Sequence, residues 1–262
     1  MKSNPYEGVP KEIEGVMRSL ISKAHAYHTV HTRRMARTHQ LLLEKSPKGK
    51  LLELGTSNLV PLVLDELAPE LEVHVTDFNL DQPEVGRKVV ALEGKSKEVD
   101  CYRVDLEQTP LPIADETFDY VLCCEVIEHM ELDPMFMLSE ANRVLKSGGV
   151  LILTTPNITS SRAISKILRG VEPYFYMQYH VPVKLHRHNY EYSTTSLAKT
   201  ITSAGFSGQI WTEDSFEDAY MKDVNKLRGI GYALPQVGDN IFAVVRKVGP
   251  VVDRYPSPIY TV

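Results

Sequence analysis

The stretch KLLELGTS, residues 50–57, determines the fold class that the sequence predicts. Residues 50–54 form an apolar run typical of a buried strand, Gly55 ends it, and a helical pattern resumes at 59–67. A turn between the carboxyl end of a strand and the start of a helix is where α/β sheets bind ligands. Gly55 also lets a ligand approach the main chain closely. We therefore expect a ligand site at this turn.

Two acidic residues support a nucleoside-containing ligand. Glu53 precedes the turn, and Asp77 follows Gly55 at close to the spacing of about 20 residues at which an acidic side chain meets ribose hydroxyls. The dinucleotide fingerprint is absent, because Ser57 stands where its second glycine would be. This argues against an NAD-type cofactor, whose pyrophosphate needs that close approach, and favours a cofactor without phosphates.

Composition narrows the class of protein. The 262 residues include 43% hydrophobic ones, enough for one substantial core. The net charge of −5 gives no general attraction for nucleic acid or anionic membranes. No membrane-spanning run or signal peptide is recognisable, and we expect Cys101, Cys123 and Cys124 to be reduced thiols of a cytoplasmic protein.

Alternating strand and helix patterns predict an α/β fold with a doubly wound, mostly parallel, Rossmann-like sheet of seven strands. Predicted strands include 99–105, 118–126, 150–155, 209–212 and 239–246; predicted helices include 85–92, 132–145 and 197–204, with a turn at 146–149. We predict a single domain with an N-terminal helical cap (1–45), a cofactor-binding core (46–157), a lid or substrate segment (158–193), the rest of the core (194–247) and a tail (248–262).

Two polar segments lie outside the core pattern. Two helices are predicted over 11–44, with a break at 26–32 near a cluster of histidines and arginines that faces either the ligand crevice or, as we favour, solvent. The segment 158–193 is rich in tyrosine and histidine. An insertion of this length is typical of a substrate lid, although an aromatic mini-core is the alternative.

Taken together, five segments resemble a class I S-adenosylmethionine-dependent methyltransferase of the type 11/12 kind. They are ELGTS (53–57), VTDFN (75–79), VDLE (104–107), FDYVLCCEVIEHM (118–130) and LKSGGVLILTTPN (145–157). The resemblance implies that Glu53, Gly55, Thr56 and Ser57 line the methionine end of the cofactor, Asp77 binds the ribose, Asp105 and Leu106 hold the adenine, and Glu125 borders the methyl site. S-adenosylmethionine is a sulfonium cation, so an acidic site suits it.

Histidines near the expected methyl site are the catalytic candidates. His129, in the segment EVIEH (125–129), is suited to act as a general base or to orient substrate, together with His188. Glu125, Glu128, His129 and His188 are alternatively the ligands of a divalent metal, a set that resembles the metal site of small-RNA 2′-O-methyltransferases. E-x-x-E-H also resembles ubiquinone-pathway O-methyltransferases, and a purely structural role for the histidine is the third option.

The function predicted first is methyl transfer from S-adenosylmethionine to a hydroxyl, less readily an amine, of a small molecule such as a sugar or a glycan or natural-product precursor. The alternatives are a metal-dependent RNA 2′-O-methyltransferase and a non-catalytic S-adenosylmethionine-binding module. We expect a small-molecule acceptor rather than nucleic acid as partner, and the sequence gives no oligomeric state.

Overall fold

The computed structural model describes residues 4–21, 26–174, 187–213, 220–257 and 259–260. Within them the helices are α1 (Lys11–Leu20), α2 (Ala26–Leu43), α3 (Leu59–Leu67), α4 (Pro134–Val144), α5 (Ser161–Ile167), α6 (Thr194–Ser203) and α7 (Met221–Gly229). The strands are β1 (Gly49–Leu54), β2 (Leu71–Asp77), β3 (Val85–Leu92), β4 (Lys95–Arg103), β5 (Phe118–Cys124), β6 (Leu145–Pro156), β7 (Phe206–Glu213) and β8 (Asn240–Lys247).

The strands form one sheet in the order β3-β4-β2-β1-β5-β6-β8-β7. The five central strands, from β4 to β6, run parallel, whereas β3 and β8 run antiparallel to their neighbours. The predicted mostly parallel, Rossmann-like sheet is confirmed, with eight strands instead of seven. The chain order reverses between β1 and β5, and the ends of those strands open the crevice where such sheets bind ligands.

The additional strand is β3, and the helix predicted at 85–92 is wrong. Buried Val90 and Leu92 alternate with exposed Val89 and Ala91, which is the two-residue period of a strand at a sheet edge. β3 returns into β4 through Glu93 and Gly94, both with positive φ (48° and 77°), as the tight two-residue hairpin turn requires. A hairpin strand therefore occupies the place where a crossover helix was expected.

Other boundaries also differ from the prediction. Residues 26–32, predicted as a break, belong to α2, and the turn predicted at 146–149 is the first part of the long strand β6. Helices α5 and α7 were not predicted. They are joined by Asp223, whose Oδ2 accepts hydrogen bonds from Ser165 Oγ at 2.6 Å and from Arg169 Nη1 at 2.7 Å. The aromatic and histidine side chains predicted at 175–186 lie outside the described residues.

The core is divided by the sheet into two faces. On one face α4 and α6 pack on the central strands through residues such as Leu138, Leu197 and Phe118. On the other face α1, α2 and α3 pack in two clusters, one of which joins α1 to β3. The N-terminal helices are thus part of the domain's packing.

The described part of the tail packs on its own domain. Val252 N donates to Ser203 O at 2.8 Å, and Arg254 pairs with Asp133, which caps the start of α4. Tyr260 Oη donates to Asp133 Oδ1 at 2.5 Å. Among the described residues, no helix is both long and apolar enough to cross a membrane.

Candidate active site

The turn between β1 and α3 is organised by a buried carboxylate. Glu53 is 2% exposed, and its Oε1 accepts hydrogen bonds from Ser57 N at 3.2 Å and Ser57 Oγ at 2.8 Å. Ser57 Oγ also accepts from Val60 N at 3.2 Å, which caps the first turn of α3. Gly55, at φ 68°, is placed by a hydrogen bond from its N to Thr76 Oγ1 at 2.8 Å. Ser57 therefore supports the turn at the position where a dinucleotide fingerprint has its second glycine.

Glu53 is poised to receive a cation. Its Oε2 is buried and accepts no hydrogen bond from any described residue. Burial raises the pKa of Glu53 to about 7, against the opposing hydrogen bonds from Ser57. A buried carboxylate oxygen without a donor is costly, and a cationic ligand relieves that cost.

The next two carboxylates stand at the ends of neighbouring strands. Asp77 ends β2, where its Oδ2 lies 2.6 Å from Lys88 Nζ, a residue of the edge strand β3. Asp105 follows β4, and its two oxygens accept hydrogen bonds from Glu107 N and Gln108 Nε2, both at 2.9 Å. Both carboxylates are partly exposed, so Asp77 and Asp105 line the open rim, while Lys88 adds a cation that was not predicted.

Glu125 follows β5 in a left-handed backbone conformation, with φ 56°, that non-glycine residues seldom adopt. The strain turns its side chain toward α2, where Oε2 lies 3.6 Å from Nε of the buried Arg34. Asn240 Nδ2, on β8, is 3.5 Å from the same oxygen. Glu125 Oε1 is buried and has no hydrogen-bond partner among the described residues. Such strain is typical of ligand sites.

A second cluster lies directly after Glu125. The short 3₁₀ helix Ile127–His129 carries Glu128 and His129, and His188 arrives from the segment before α6. One ligand atom from each of the three residues lies within 4.8 Å of the others. Burial raises the pKa of Glu128 well above its ordinary value, and the nearby charge of Glu125 adds to the shift. The three residues can hold a divalent cation or handle a proton.

Both histidines in the cluster are oriented through Nδ1. His129 Nδ1 lies 3.0 Å from the carbonyl oxygen of Arg187, and His188 Nδ1 lies 2.9 Å from Oε1 of buried Glu191. Because these oxygens are acceptors, Nδ1 carries the proton in both rings and the lone pair is on Nε2. The backbone also joins the two segments, since Asn189 N donates to Glu128 O at 2.7 Å.

The structure brings most of the predicted site residues to one end of the sheet. Glu53, Gly55, Thr56 and Ser57 form the β1–α3 turn, Leu106 packs against the core beside Asp105, and Asp77 and Glu125 flank the turn. Of the four metal-ligand candidates, Glu128, His129 and His188 converge, and Glu125 instead pairs with Arg34.

Lys88 and Glu191 were not predicted, and only Glu191, three residues after His188, gave a usable signal. Arg34 belongs to the cluster of histidines and arginines for which solvent exposure was favoured over the ligand crevice. For Arg34 that preference is wrong, since it is 3% exposed and lies beside Glu125.

The residues present fit S-adenosylmethionine. A sulfonium, an ammonium and ribose hydroxyls require carboxylate acceptors, and the rim offers Glu53, Asp77, Asp105 and Glu125 at four adjacent strand ends. The buried oxygens Glu53 Oε2 and Glu125 Oε1, which have no described hydrogen-bond partner, supply acceptors for positively charged groups.

Comparisons with known proteins identify the family of the central part of the chain and the fold. Residues 52–153 match the profile of a family described as a methyltransferase domain. Residues 52–153 form a methyltransferase domain. The matched range runs from β1 to β6 within the Rossmann-like sheet, so the chain contains a domain of the class I S-adenosylmethionine-dependent methyltransferases, a class of enzymes. No curated protein sequence matches the chain.

Solved structures similar to this methyltransferase show the same fold. An S-adenosylmethionine-dependent methyltransferase from Archaeoglobus fulgidus superposes with a TM-score of 0.56 at 13% identity, covering 86% of this chain and 100% of that chain. One from Thermotoga maritima, described as a possible histamine N-methyltransferase, gives 0.52 at 17% identity, covering 90% and 100%. A chain of the complex that the Haloferax volcanii Trm112 methyltransferase activator forms with a methyltransferase gives 0.50 at 14% identity, covering 87% and 95%.

Proposed function

We propose that this methyltransferase transfers a methyl group from S-adenosylmethionine to a hydroxyl of a small polar acceptor, of the kind a sugar or a glycan or natural-product precursor presents. Glu53, Gly55, Thr56 and Ser57 hold the methionine end, Asp77 holds the ribose, and Asp105 and Leu106 hold the adenine. Glu125 borders the methyl site. The bound cofactor supplies an electrophilic methyl group on a sulfonium.

The observation that carries the proposal is the pair of oriented histidines beside Glu125. An alcohol must lose its proton to become a methyl ether, and an imidazole with its lone pair on Nε2 can accept that proton. His129 and His188 have Nδ1 held by acceptors, so both rings present Nε2 as the basic nitrogen. Their ring centroids are 5.0 Å apart, which lets either ring reach the same acceptor hydroxyl.

The second contribution to the rate of methyl transfer is the positioning of the acceptor hydroxyl. Methyl transfer is an in-line displacement, and holding the hydroxyl at near-attack distance can lower the barrier by several kcal/mol, on the order of 7–11 for ideal cases. Glu128 has its Oε2 bound by Thr155 Oγ1 at 3.0 Å, and its main-chain oxygen holds the segment that carries His188. These contacts keep the two histidines together.

The test has two steps. Calorimetry with S-adenosylhomocysteine on wild type and Asp77→Ala measures cofactor binding, and we expect the variant to bind at least about tenfold more weakly. Labelled S-adenosylmethionine is then offered with free sugars, nucleotide sugars, phenols and amines. His129→Gln and His188→Gln should keep the cofactor Kd and lose turnover, and His74→Gln, a buried histidine that pairs with Glu72, is the matched control. Turnover on amines alone would contradict the proposal.

A second candidate is a metal-dependent form of the same transfer. The approach of Glu128, His129 and His188 to within 4.8 Å favours it, because a bound divalent cation lowers the pKa of an acceptor hydroxyl. Thermal unfolding with Mg²⁺, Mn²⁺ or Zn²⁺ distinguishes the candidates. A rise in Tm that His188→Ala abolishes, together with turnover lost in EDTA, would support the metal, and metal-independent turnover would exclude it.

The RNA acceptor stays a separate possibility within the metal-dependent form, and the net charge of −5 argues against it. Single-stranded RNA belongs in the acceptor panel for this reason. We also propose that the chain is divided into cap, core, lid and tail as described above and that the protein is cytoplasmic.

A further inference from the structure

Helix α2 brings a buried arginine to the edge of the site. Arg34 is 3% exposed, and among the described residues it donates one hydrogen bond, from Nη2 to Tyr27 Oη at 3.2 Å. Its Nε is buried and has no hydrogen-bond partner in the described part of the chain, since Glu125 Oε2 is 3.6 Å away. A guanidinium has five N–H donors in a planar fork, so Arg34 retains capacity for an anion.

Arg34 shares a cavity with the other incompletely bonded group of the site. The cavity has a volume of about 50 Å³, and its lining includes Arg34, Tyr27, Glu53, Ser57 and Cys124. Glu53 offers Oε2, and Arg34 offers Nε, neither with a hydrogen bond to a described residue. The buried carboxyl group of Glu53 and the buried guanidinium of Arg34 therefore line the same cavity beside the β1–α3 turn.

An α-amino acid group has the matching charges, an ammonium and a carboxylate on one carbon. We infer that Arg34 binds the α-carboxylate of the cofactor's methionine moiety while Glu53 receives its ammonium, so that α2 forms one wall of the cofactor site. The inference rests on the proposed cofactor and adds a binding residue from outside the matched methyltransferase domain. It also gives a function to the buried guanidinium of Arg34, which supplies a positive charge for the cofactor's carboxylate beside the carboxylates of the site.

A second arginine on α2 shows what a purely structural ion pair looks like in this helix. Arg37, three residues later, has its Nε 2.9 Å from Glu213 Oε1, at hydrogen-bond distance. Arg34 is more buried than Arg37 and yet less completely bonded. The difference between the two arginines is what a ligand-binding role predicts for Arg34.

The test compares two ligands on three proteins by calorimetry. The ligands are S-adenosylhomocysteine and its decarboxylated analogue, which keeps the adenosine and the amine. The proteins are wild type, Arg34→Met and the matched control Arg37→Met. We expect Arg34→Met to lower the affinity for S-adenosylhomocysteine about tenfold to a hundredfold and the affinity for the analogue less than about twofold. The reason is that only S-adenosylhomocysteine has the carboxylate to which Arg34 would make a charge-assisted hydrogen bond. Arg37→Met should leave both affinities unchanged.

The outcomes separate the inference from the function on which it rests. Equal losses for the two ligands, or a changed acceptor KM with unchanged S-adenosylhomocysteine affinity, would overturn the role of Arg34 alone. A wild type that binds neither ligand would overturn the proposed cofactor together with this inference. If Arg34→Met does not fold, Arg34→Lys keeps the charge without the fork, and an intermediate loss confined to S-adenosylhomocysteine is then expected.

Discussion

Lys88 Nζ lies 2.6 Å from Asp77 Oδ2, so a cation from the edge strand already occupies one oxygen of the carboxylate that we assign to the ribose. Both side chains are about one quarter exposed, which makes this a solvent-screened pair. The pairing holds Asp77 in place, and it also competes with a bidentate contact to the two ribose hydroxyls.

Removing Lys88 should tighten cofactor binding. In Lys88→Met both oxygens of Asp77 become available, and a positive charge near a cationic cofactor is lost. We expect the Kd of S-adenosylmethionine to fall by about two- to fivefold, the range that a partly exposed ion pair allows. Lys97→Met removes a similar pair, with Asp65 at 2.5 Å, and should change nothing. Weaker binding in Lys88→Met would show that Lys88 itself contacts the cofactor.

Cofactor affinity should depend on pH through Glu53. The pKa of Glu53 is raised to about 7 by burial, so much of the carboxyl is protonated at neutral pH and an arriving ammonium must displace the proton. Affinity for S-adenosylhomocysteine should therefore fall by about tenfold from pH 7.5 to pH 6. Calorimetry in buffers of different ionisation enthalpy should register the released proton. Glu53→Gln should bind weakly and lose this pH dependence.

Glu53 should also lower the stability of the folded protein at neutral pH. A carboxyl whose folded pKa exceeds its unfolded value loses its proton more readily when the chain unfolds. The free energy of unfolding should thus decrease as pH rises from about 4.5 to about 7, by about 3 kcal/mol at most, and then level off. Glu53→Gln keeps an acceptor for Ser57 and removes this decrease. Chemical unfolding at pH 5 and pH 8 should show the variant more stable than wild type only at the higher pH.

Glu191 should act on His188 and not on the cofactor. Its side chain is fully buried, and Oε1 lies 2.9 Å from His188 Nδ1. Glu191→Gln should reduce kcat by about tenfold to a hundredfold, as loss of an orienting carboxylate does, with an unchanged Kd for S-adenosylhomocysteine. Glu72→Gln disturbs a similar contact, to His74 Nε2 at 2.6 Å away from the site, and is the control. A parallel loss of Tm and cofactor affinity would indicate a structural role instead.

The tail should contribute stability without affecting the cofactor. Tyr260 Oη donates to Asp133 Oδ1 and accepts from Met135 N at 3.0 Å, so it joins the tail to the start of α4. Tyr260→Phe removes both bonds and should lower the free energy of unfolding by about 1–2 kcal/mol. Urea unfolding measures the change. An altered cofactor Kd would place the tail closer to the site than these contacts indicate.

The central sheet could be predicted because its strands are apolar runs that end in glycine or acidic residues. The same rule placed Glu53, Asp77, Asp105 and Glu125 at one edge, since parallel strands share the direction of their carboxyl ends. The error at 85–92 has a different origin. The segment VGRKVVAL shows the two-residue alternation of a strand. A helix was predicted because the expected alternation of strands and helices along the chain was given more weight than this local pattern.

The missed residues share a physical reason. Arg34 and Lys88 meet their carboxylates only when separate elements pack. In the sequence, an arginine within a basic cluster or a lysine on a polar strand is interpreted as solvent-exposed. His188 could be proposed through its resemblance to a metal-binding set, yet its approach to His129 depends on the path of the chain before α6. Local sequence patterns predict the helices and strands, whereas tertiary packing determines which charged side chains form pairs.

The N-terminal helices contact two of the elements that form the proposed cofactor site. Ile13, Met17 and Leu20 of α1 share a buried cluster with Val90 and Leu92 of β3, the strand whose Lys88 pairs with Asp77. Helix α2 carries Arg34, which pairs with Glu125. In a chimaera that takes only residues 52–153 from this chain, β2 to β5 and parts of β1 and β6 would be kept, and both contacts with the N-terminal helices would be lost. Exchanging the N-terminal helices between related enzymes would therefore change the affinity for the cofactor while leaving the sequence motifs of residues 52–153 unchanged.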